Sequence, residues 1–216
     1  LDLAPELNLD TELRFHLAKD LHRFVAGLLD GQPAESLKPI AERLESEGYH
    51  LRVTRSLETA KGYLRERYGD DRSARFGIVA SSKDRDLAQF GIPNDFQSTK
   101  RIRIGPWYGD DEDDYSGRSC RRLETCVTEF GAQGLELDAT LLAWGTDLIR
   151  KDGRWTNERA RGYLKRVTVH DPFQLRINAY RVLLTRGRDC CVVFVPPITI
   201  LDETYALIAA SGFRTL

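Results

Sequence analysis

The sequence predicts an α/β domain with a mostly parallel sheet covered by helices. Short apolar runs alternate along the chain with helical segments that carry an apolar stripe. The length of 216 residues suits one large domain or two small ones, and 41% apolar with 30% charged residues is ordinary for a globular protein. The predicted strands lie at 49–54, 76–81, 123–128, 139–145 and 190–195.

The helices are predicted from apolar positions at helical spacing and from capping residues. Ser56 is a suitable cap for a helix from Leu57 to Tyr68. After Trp144, the pair Asp152-Gly153 favours a two-residue turn and therefore a β-hairpin insertion. The other predicted helices lie at 12–31, 34–48 and 202–210, and one more is opened by Asp171-Pro172.

The stretch from Asn178 to Val195 reads as a helix that feeds a buried strand. Gly187 suits the left-handed position just past a helix end. Arg186 and Arg188 flank this glycine, and the simplest interpretation is that they are solvated charges favoured at a helix C-terminus.

Composition limits the function classes that fit the chain. A net charge of −1 predicts no strong global attraction to nucleic acid, so such binding needs a local patch. No apolar run approaches the roughly 20 residues of a membrane span, and no signal peptide is visible. The cysteines form no Cys-x-x-Cys pair, so a zinc site is not predicted and a reducing cytoplasm is the expected compartment. These cysteines are Cys120, Cys126, Cys190 and Cys191.

Three small polar or basic residues, Ser81, Ser82 and Lys83, follow the second predicted strand. Hydroxyls, a lysine and a following helix N-terminus at the carboxyl end of a strand suit a phosphate. We therefore weigh contact with a nucleic-acid backbone against an ordinary helix cap.

The segment from Arg101 to Asp114 combines an aromatic pair with an acidic run. Trp107 either stacks on bases or, as we favour, packs a long loop onto the core. The run from Asp110 to Asp114 suits a hard cation, but a solvated loop is the simpler interpretation. A metal-dependent nuclease is disfavoured, since no lysine or histidine is placed beside these acids. Nearer the C-terminus, a basic stretch offers either electrostatic contact with nucleic acid or a solvated loop: Arg159, Arg161, Lys165 and Arg166.

Two segments resemble motifs of superfamily 1 helicases. Thr128-Glu-Phe-Gly-Ala-Gln-Gly-Leu-Glu136 resembles motif V, and Tyr180-Arg-Val-Leu-Leu-Thr-Arg-Gly-Arg188 resembles motif VI. A shorter similarity covers Glu12-Leu-Arg-Phe15. On these segments, the chain resembles the C-terminal, second RecA-like part of the Schlafen-like DNA/RNA helicase domain family. The resemblance implies one RecA-like domain of the P-loop NTPase class over residues 1–216.

The resemblance also implies roles for individual residues. Arg186 would be the arginine finger that reaches the γ-phosphate of ATP, and Arg14 would assist it. A guanidinium suits this role because it is always charged and forks onto phosphate oxygens. The residues implied at the nucleotide are Gly134, Glu136, Arg188 and Gln133, and those implied at the nucleic-acid backbone are Thr128, Ser81, Ser82 and Lys83.

One departure from the helicase pattern limits what the chain is expected to do alone. It has no Gly-x-x-x-x-Gly-Lys-Ser/Thr phosphate loop, begins at Leu1 and contains no methionine. We therefore expect a fragment that shares ATP and Mg²⁺ with an upstream RecA-like domain, binds single-stranded DNA or RNA, and does not hydrolyse ATP alone. The alternative is a non-motor module for nucleic-acid binding or protein interaction that acts as an ATP-gated switch or scaffold.

Overall fold

The computed structural model describes residues 6–115, 118–163 and 169–216, with side chains from residue 17 onward. The helices are α1 (Glu6–Leu29), α2 (Ala34–Ser46), α3 (Leu57–Tyr68), α4 (Phe96–Thr99), α5 (Ile104–Gly109), α6 (Pro172–Leu184) and α7 (Asp202–Ala210). The strands are β1 (His50–Thr54), β2 (Phe76–Ala80), β3 (Cys126–Thr128), β4 (Leu137–Ala143), β5 (Ile149–Lys151), β6 (Arg154–Thr156), β7 (Gly187–Phe194) and β8 (Arg214–Thr215).

Six of these strands form one sheet in the order β3-β2-β4-β7-β1-β8, and every pair in it is parallel. The strands β5 and β6 form a separate antiparallel hairpin. The α/β prediction with a parallel sheet and a hairpin insertion is confirmed, and the architecture is consistent with a RecA-like fold.

The sheet separates two apolar layers because successive side chains of a strand point to opposite faces. In β7, Cys190, Val192 and Phe194 pack with α3 on one face. Cys191 and Val193 face the larger layer, which α1, α2, α6 and α7 cover. Both faces of the central strands are therefore buried, which explains their nearly continuous apolar sequences.

Local signals predicted several elements well. The helix α3 has its predicted bounds, and the Ser56 hydroxyl accepts a hydrogen bond from the Thr59 amide at 3.2 Å. The helix α7 also has its predicted bounds. The hairpin turn lies at Asp152 and Gly153, whose φ angles of 51° and 73° fit a two-residue turn.

The prediction for Gly187 was wrong. The helix α6 ends at Leu184 and is followed by the cap residue Thr185, while Gly187 opens β7 without a positive φ. A Cβ at Gly187 would lie 2.1 Å from the Cys190 carbonyl oxygen. Glycine therefore serves close backbone packing at the irregular start of the β4–β7 pairing rather than a left-handed helix end.

Other boundaries also differ from the predictions. The helix α1 begins at Glu6 rather than near Glu12. The strand β3 spans only Cys126–Thr128, and Leu123, which was predicted to start it, has a left-handed φ of 54°. No helix directly follows Ser81-Ser82-Lys83; a turn leads instead to a short 3₁₀ segment at Leu87–Phe90. The strand β8 was not predicted.

Trp107 and the four cysteines are buried in the core. Trp107 is buried, so it packs the loop onto the core and does not stack on bases. All four cysteines are buried and free, as small apolar side chains would be. Within the described ranges, no helix has the length and apolarity that crossing a bilayer requires.

An ion-pair cluster at Glu45 joins α2 to β1. The two Arg52 Nη atoms each donate to a Glu45 carboxylate oxygen at 2.8 Å, and His50 Nδ1 lies 3.1 Å away. The hydrogen bonds from Arg52 are the main cause that lowers the pKa of Glu45 from 4.5 to about 2, against an opposing effect of burial. Because the folded pKa lies below the unfolded one, this stabilisation is present above pH 4.5 and is lost as pH falls through about 2.

We expect Glu45→Gln to lower the free energy of unfolding by about 3 kcal/mol at neutral pH, since one pKa unit corresponds to about 1.4 kcal/mol. This difference from the wild type should shrink as pH falls below 4.5. Urea unfolding between pH 2 and pH 7 measures it. Glu58→Gln, which removes an exposed partner of Lys61, is the control and should change stability by under about 0.5 kcal/mol throughout.

Candidate functional site

The structure places the predicted site residues at two opposite edges of the sheet. Ser82, Lys83 and Thr128 lie where β2 and β3 end, at the carboxyl edge. The segment 133–136 precedes β4, and Arg186 precedes β7, so these residues lie at the amino edge. The seven-residue strand β4 alone separates the edges by roughly 20 Å.

A cleft of about 860 Å³ opens at the carboxyl edge, and we call it the carboxyl-edge cleft. Ser82, Lys83 and Thr128 all line it, so three of the four residues predicted at nucleic acid share one surface. In open α/β sheets, ligands collect beyond the carboxyl ends of strands.

The wall of the cleft is largely apolar and includes two exposed phenylalanines. Phe96 is 74% exposed and Phe130 is 67% exposed. Ile102, Ile104 and Val127 complete the apolar lining. Sequence reasoning missed both phenylalanines. Phe130 lies directly in the motif V-like segment, two residues after β3, and that position was an available signal.

The polar part of the cleft is positively charged. Lys83, Lys100 and Arg161 line it, and none of the described lining residues carries a carboxylate. Lys83 Nζ donates to the Gly162 carbonyl at 3.2 Å and lies 4.1 Å from the Tyr163 ring centroid. Burial lowers the pKa of Lys83, and the positive charges of Arg176 and Arg161 lower it further. The cleft is therefore complementary to an anion that also presents a flat apolar surface.

We call the segment 160–163 the strap, and its residues Arg161, Gly162 and Tyr163 form one wall of the cleft. The Arg161 amide donates to the Lys83 carbonyl at 2.8 Å, and Arg85 Nη2 donates to the Ala160 carbonyl at 3.2 Å. These bonds hold the strap along the loop that follows β2.

A buried polar network lies beneath the cleft, centred on Arg176 of α6. Arg176 is 3% exposed; its guanidinium lies 3.1 Å from a Glu129 oxygen and 3.2 Å from an Asp147 oxygen. It also donates to the Ser81 hydroxyl at 2.6 Å. Tyr180, one turn further along α6, donates its hydroxyl proton to Asp147 at 2.7 Å. The network thus joins α6 to the ends of three strands.

Ser81 does not reach the cleft. Its side chain is fully buried, and its hydroxyl bonds to Asp147 and Arg176. Ser82, in contrast, lines the cleft, while its amide and hydroxyl both donate to Glu129 at 2.8 Å. Ser81 is therefore placed to hold the loop, and Ser82 and Lys83 are the members of that triplet that a ligand can contact.

Burial dominates the electrostatics of this network. It raises the pKa of Asp147, although hydrogen bonds from Ser81 and Tyr180 and the charge of Arg176 oppose the shift. Burial also raises the pKa of Tyr180 well above its ordinary value, so the phenol stays protonated as the donor to Asp147. The positive charge of Arg176 thus compensates the buried negative charges of Glu129 and Asp147.

At the amino edge, Arg186 is half-buried between α6 and the segment before β4. Its Nε donates to the Val182 carbonyl at 3.1 Å, and its Nη1 donates to the Leu135 carbonyl at 3.3 Å. No described residue offers it a carboxylate partner. A guanidinium held by carbonyls and not neutralised by an acid suits an anionic ligand.

The residues around Arg186 form a turn that glycine makes possible. Gly134 has a φ of +78°, and Gln133 and Glu136 on either side of it are exposed. Tyr108 donates its hydroxyl proton to the Glu136 carbonyl at 2.9 Å, which fixes the backbone there.

The remaining predicted residues are placed differently. Arg188 is paired with Asp138, whose second oxygen accepts from the Arg75 amide. Arg14 lies in the helix α1, and its side chain is outside the described set. Lys165 and Arg166 lie outside the described residues.

The acidic run does not form a metal centre in the described part of the chain, where no group of three or more potential ligands occurs. Its members instead pair with arginines: Asp111 with Arg75, Glu112 with Arg121, and Asp113 with Arg72. This observation gives no support to a nuclease.

A search of curated proteins found no match for the chain. The family model described as the Schlafen group 3 DNA/RNA helicase domain matches residues 2–197, which is most of the chain. The chain therefore belongs to the Schlafen group 3 DNA/RNA helicase domain family.

Proposed function

We propose that this helicase domain is the second RecA-like half of an ATP-driven motor or switch that grips single-stranded nucleic acid. The observation that carries the proposal is the carboxyl-edge cleft, where Ser82, Lys83 and Thr128 meet exposed aromatic side chains. The family assignment supports nucleic acid as the partner class.

The cleft suits an unpaired strand better than a duplex. Phe96 and Phe130 present apolar ring faces, on which bases of any sequence can stack. Lys83, Lys100 and Arg161 supply charge for the backbone. Base pairs in a duplex are already stacked and do not expose these faces, so a strand with free bases gains more from the cleft.

ATP is the proposed ligand of the amino edge, shared with a RecA-like domain that carries the phosphate loop. The residues present fit one side of such a site, because Arg186 lacks an acidic partner in the described part of the chain. Gln133, Gly134 and Glu136 would lie beside the nucleotide, and Mg²⁺ would be held mainly by the other domain. ATP supplies the free energy of phosphoryl transfer when bound, and Arg186 stabilises negative charge on its phosphates. Arg14 and Arg188 are proposed only as assisting groups, and Arg188 would first have to leave Asp138.

We expect Phe130→Ala to weaken binding of a fluorescein-labelled single-stranded oligonucleotide by about 5- to 150-fold, because one base–aromatic stack contributes about 1–3 kcal/mol. Fluorescence anisotropy with the 216-residue chain, using oligo-dT and oligo-rU, measures the affinity.

Phe173→Ala is the matched control, because Phe173 lies on α6 outside the cleft and is 37% exposed. It should bind like the wild type. Equal losses in both variants, or tighter binding of a duplex than of a single strand, would contradict the assignment of the cleft.

A non-motor switch or scaffold remains the second candidate. The carboxyl-edge cleft supports this candidate as well, since strand binding there does not itself require ATP hydrolysis. Translocation along single-stranded nucleic acid by a protein that joins this domain to a phosphate-loop domain would distinguish a motor from a switch.

A further inference from the structure

A second, smaller pocket adjoins the carboxyl-edge cleft and shares the strap residues Arg161, Gly162 and Tyr163 with it. Its volume is about 190 Å³, and Pro172 and Arg176 of α6 form its other side. One water molecule occupies about 30 Å³ in the liquid, so the pocket has room for a group much larger than a single water.

Two buried polar atoms in the residues of this pocket lack a hydrogen-bond partner. They are Arg176 Nε and the Tyr163 hydroxyl, and neither has a partner among the described residues. The Arg176 side chain is 4% exposed, so its Nε cannot rely on bulk solvent. Buried polar groups in proteins are almost always paired, and an exception calls for a specific reason such as a ligand that is bound in the working protein.

The unpaired groups are donors, and their surroundings favour an anion. Arg161 adds a second guanidinium, and Pro172 is the first residue of the 13-residue helix α6, whose N-terminus carries partial positive charge. The nearby carboxylates are already engaged: Glu129 and Asp147 bond the Nη atoms of Arg176, and Asp171 accepts from the Gln174 amide. Lys83, on the loop bonded to the strap, adds a further positive charge.

We propose that this pocket is a phosphate subsite, in which Arg176 Nε, the Tyr163 hydroxyl and the Arg161 guanidinium hold one phosphodiester of the strand in the cleft. The inference rests on the proposed function, since the shared strap makes the phosphate a neighbour of the base on the aromatic wall. Arg176 therefore has two tasks: its Nη atoms hold the loops of the sheet, and its Nε faces the ligand.

The test is a thermodynamic cycle that measures the coupling energy between the Tyr163 hydroxyl and each phosphate of the strand. A series of labelled oligonucleotides, each with a neutral methylphosphonate at one linkage, is titrated against the wild type and Tyr163→Phe. We expect Tyr163→Phe to weaken binding of the unmodified strand about 10- to 150-fold, as expected for one hydrogen bond to a charged group. At one linkage, the methylphosphonate should weaken the wild type but cause little further loss in Tyr163→Phe.

Tyr205→Phe is the control for loss of a phenol hydroxyl, because Tyr205 lies on α7 and packs beneath Arg55 away from the pocket. It should bind the whole series like the wild type. If the losses of binding free energy from Tyr163→Phe and from the methylphosphonate are additive at every linkage, the proposed phosphate subsite is wrong. Strand binding in the cleft would not be contradicted by that result.

Inorganic phosphate separates failure of the subsite from failure of the proposed function. Millimolar phosphate should raise the melting temperature of the wild type more than that of Tyr163→Phe. A chloride buffer of equal ionic strength, without phosphate or sulfate, is the reference. A phosphate effect that depends on Tyr163, without any binding of single strands, supports the pocket and contradicts the function. Strand binding by a wild type whose melting temperature does not respond to phosphate, together with additive cycles, contradicts the pocket alone.

Discussion

Replacing Arg186 by alanine should lower the rate of ATP hydrolysis about 10³- to 10⁵-fold in a protein that joins this domain to a phosphate-loop domain, if Arg186 has the proposed role. The half-buried guanidinium is oriented by the carbonyls of Val182 and Leu135 and lacks a described acidic partner, so its charge is available to a phosphate. Nucleotide affinity should change much less than the rate, because charge on the transferred group develops during the reaction. Steady-state turnover and equilibrium binding of a fluorescent ATP analogue measure the two effects separately.

Arg181→Ala is the matched control for this experiment. Arg181 is a nearby arginine within α6, where its 38% exposed side chain lies near Asp30 and Asn178. Its loss should change the rate by less than about twofold. Equal rates in Arg186→Ala and Arg181→Ala would make Arg186 an ordinary charge after a helix and would favour the switch or scaffold.

Arg176→Ala should destabilise the fold by about 3–5 kcal/mol, the usual cost of leaving buried charges without their partner. Glu129 and Asp147 would then face each other's charge beneath the cleft without the guanidinium that now lies between them. Urea unfolding at pH 7 measures this loss of unfolding free energy, and the m-value should be the same as in the wild type.

Arg43→Ala removes an arginine whose side chain is 48% exposed and pairs with Asp20, and it should cost less than about 1 kcal/mol. The double variant Arg176→Ala/Glu129→Gln should be more stable than the two single losses added together, because the glutamine removes one uncompensated charge. A cost for Arg176→Ala no greater than that for Arg43→Ala would show that the carboxylates do not depend on it.

Elements with a complete local signal were predictable from the sequence. The helix α3 has a capping serine, and the hairpin has an Asp-Gly turn, so no distant contact was needed to locate either one. The strand β8 has two residues and exists only because β1 offers it an edge to pair with. Gly187 looked like a helix end because the close approach of the Cys190 carbonyl depends on how β7 bends against β4.

The candidate sites were predictable in the same uneven way. The motif-like segments singled out Thr128 and Arg186, and the polar triplet after the second predicted strand singled out Lys83. The sheet topology explains why Lys83 and Thr128 lie at one edge and Arg186 at the other. The burial of Ser81 was not predictable, because it results from Asp147 and Arg176, which lie 66 and 95 residues further along the chain. Phe96 lies on the four-residue helix α4, and nothing in that short sequence predicts that Phe96 lines the cleft.

The helix α6 is a mechanical link between the two edges of the sheet. Arg176 anchors its first half to the loops at the carboxyl edge, and Arg186 follows its end at the amino edge, ten residues or about 15 Å later. A ligand that changes the tilt of α6 at the carboxyl edge would therefore also move Arg186 at the amino edge. Because such coupling is reciprocal, if a strand strengthened binding at the proposed ATP site, ATP would strengthen binding of the strand by the same factor.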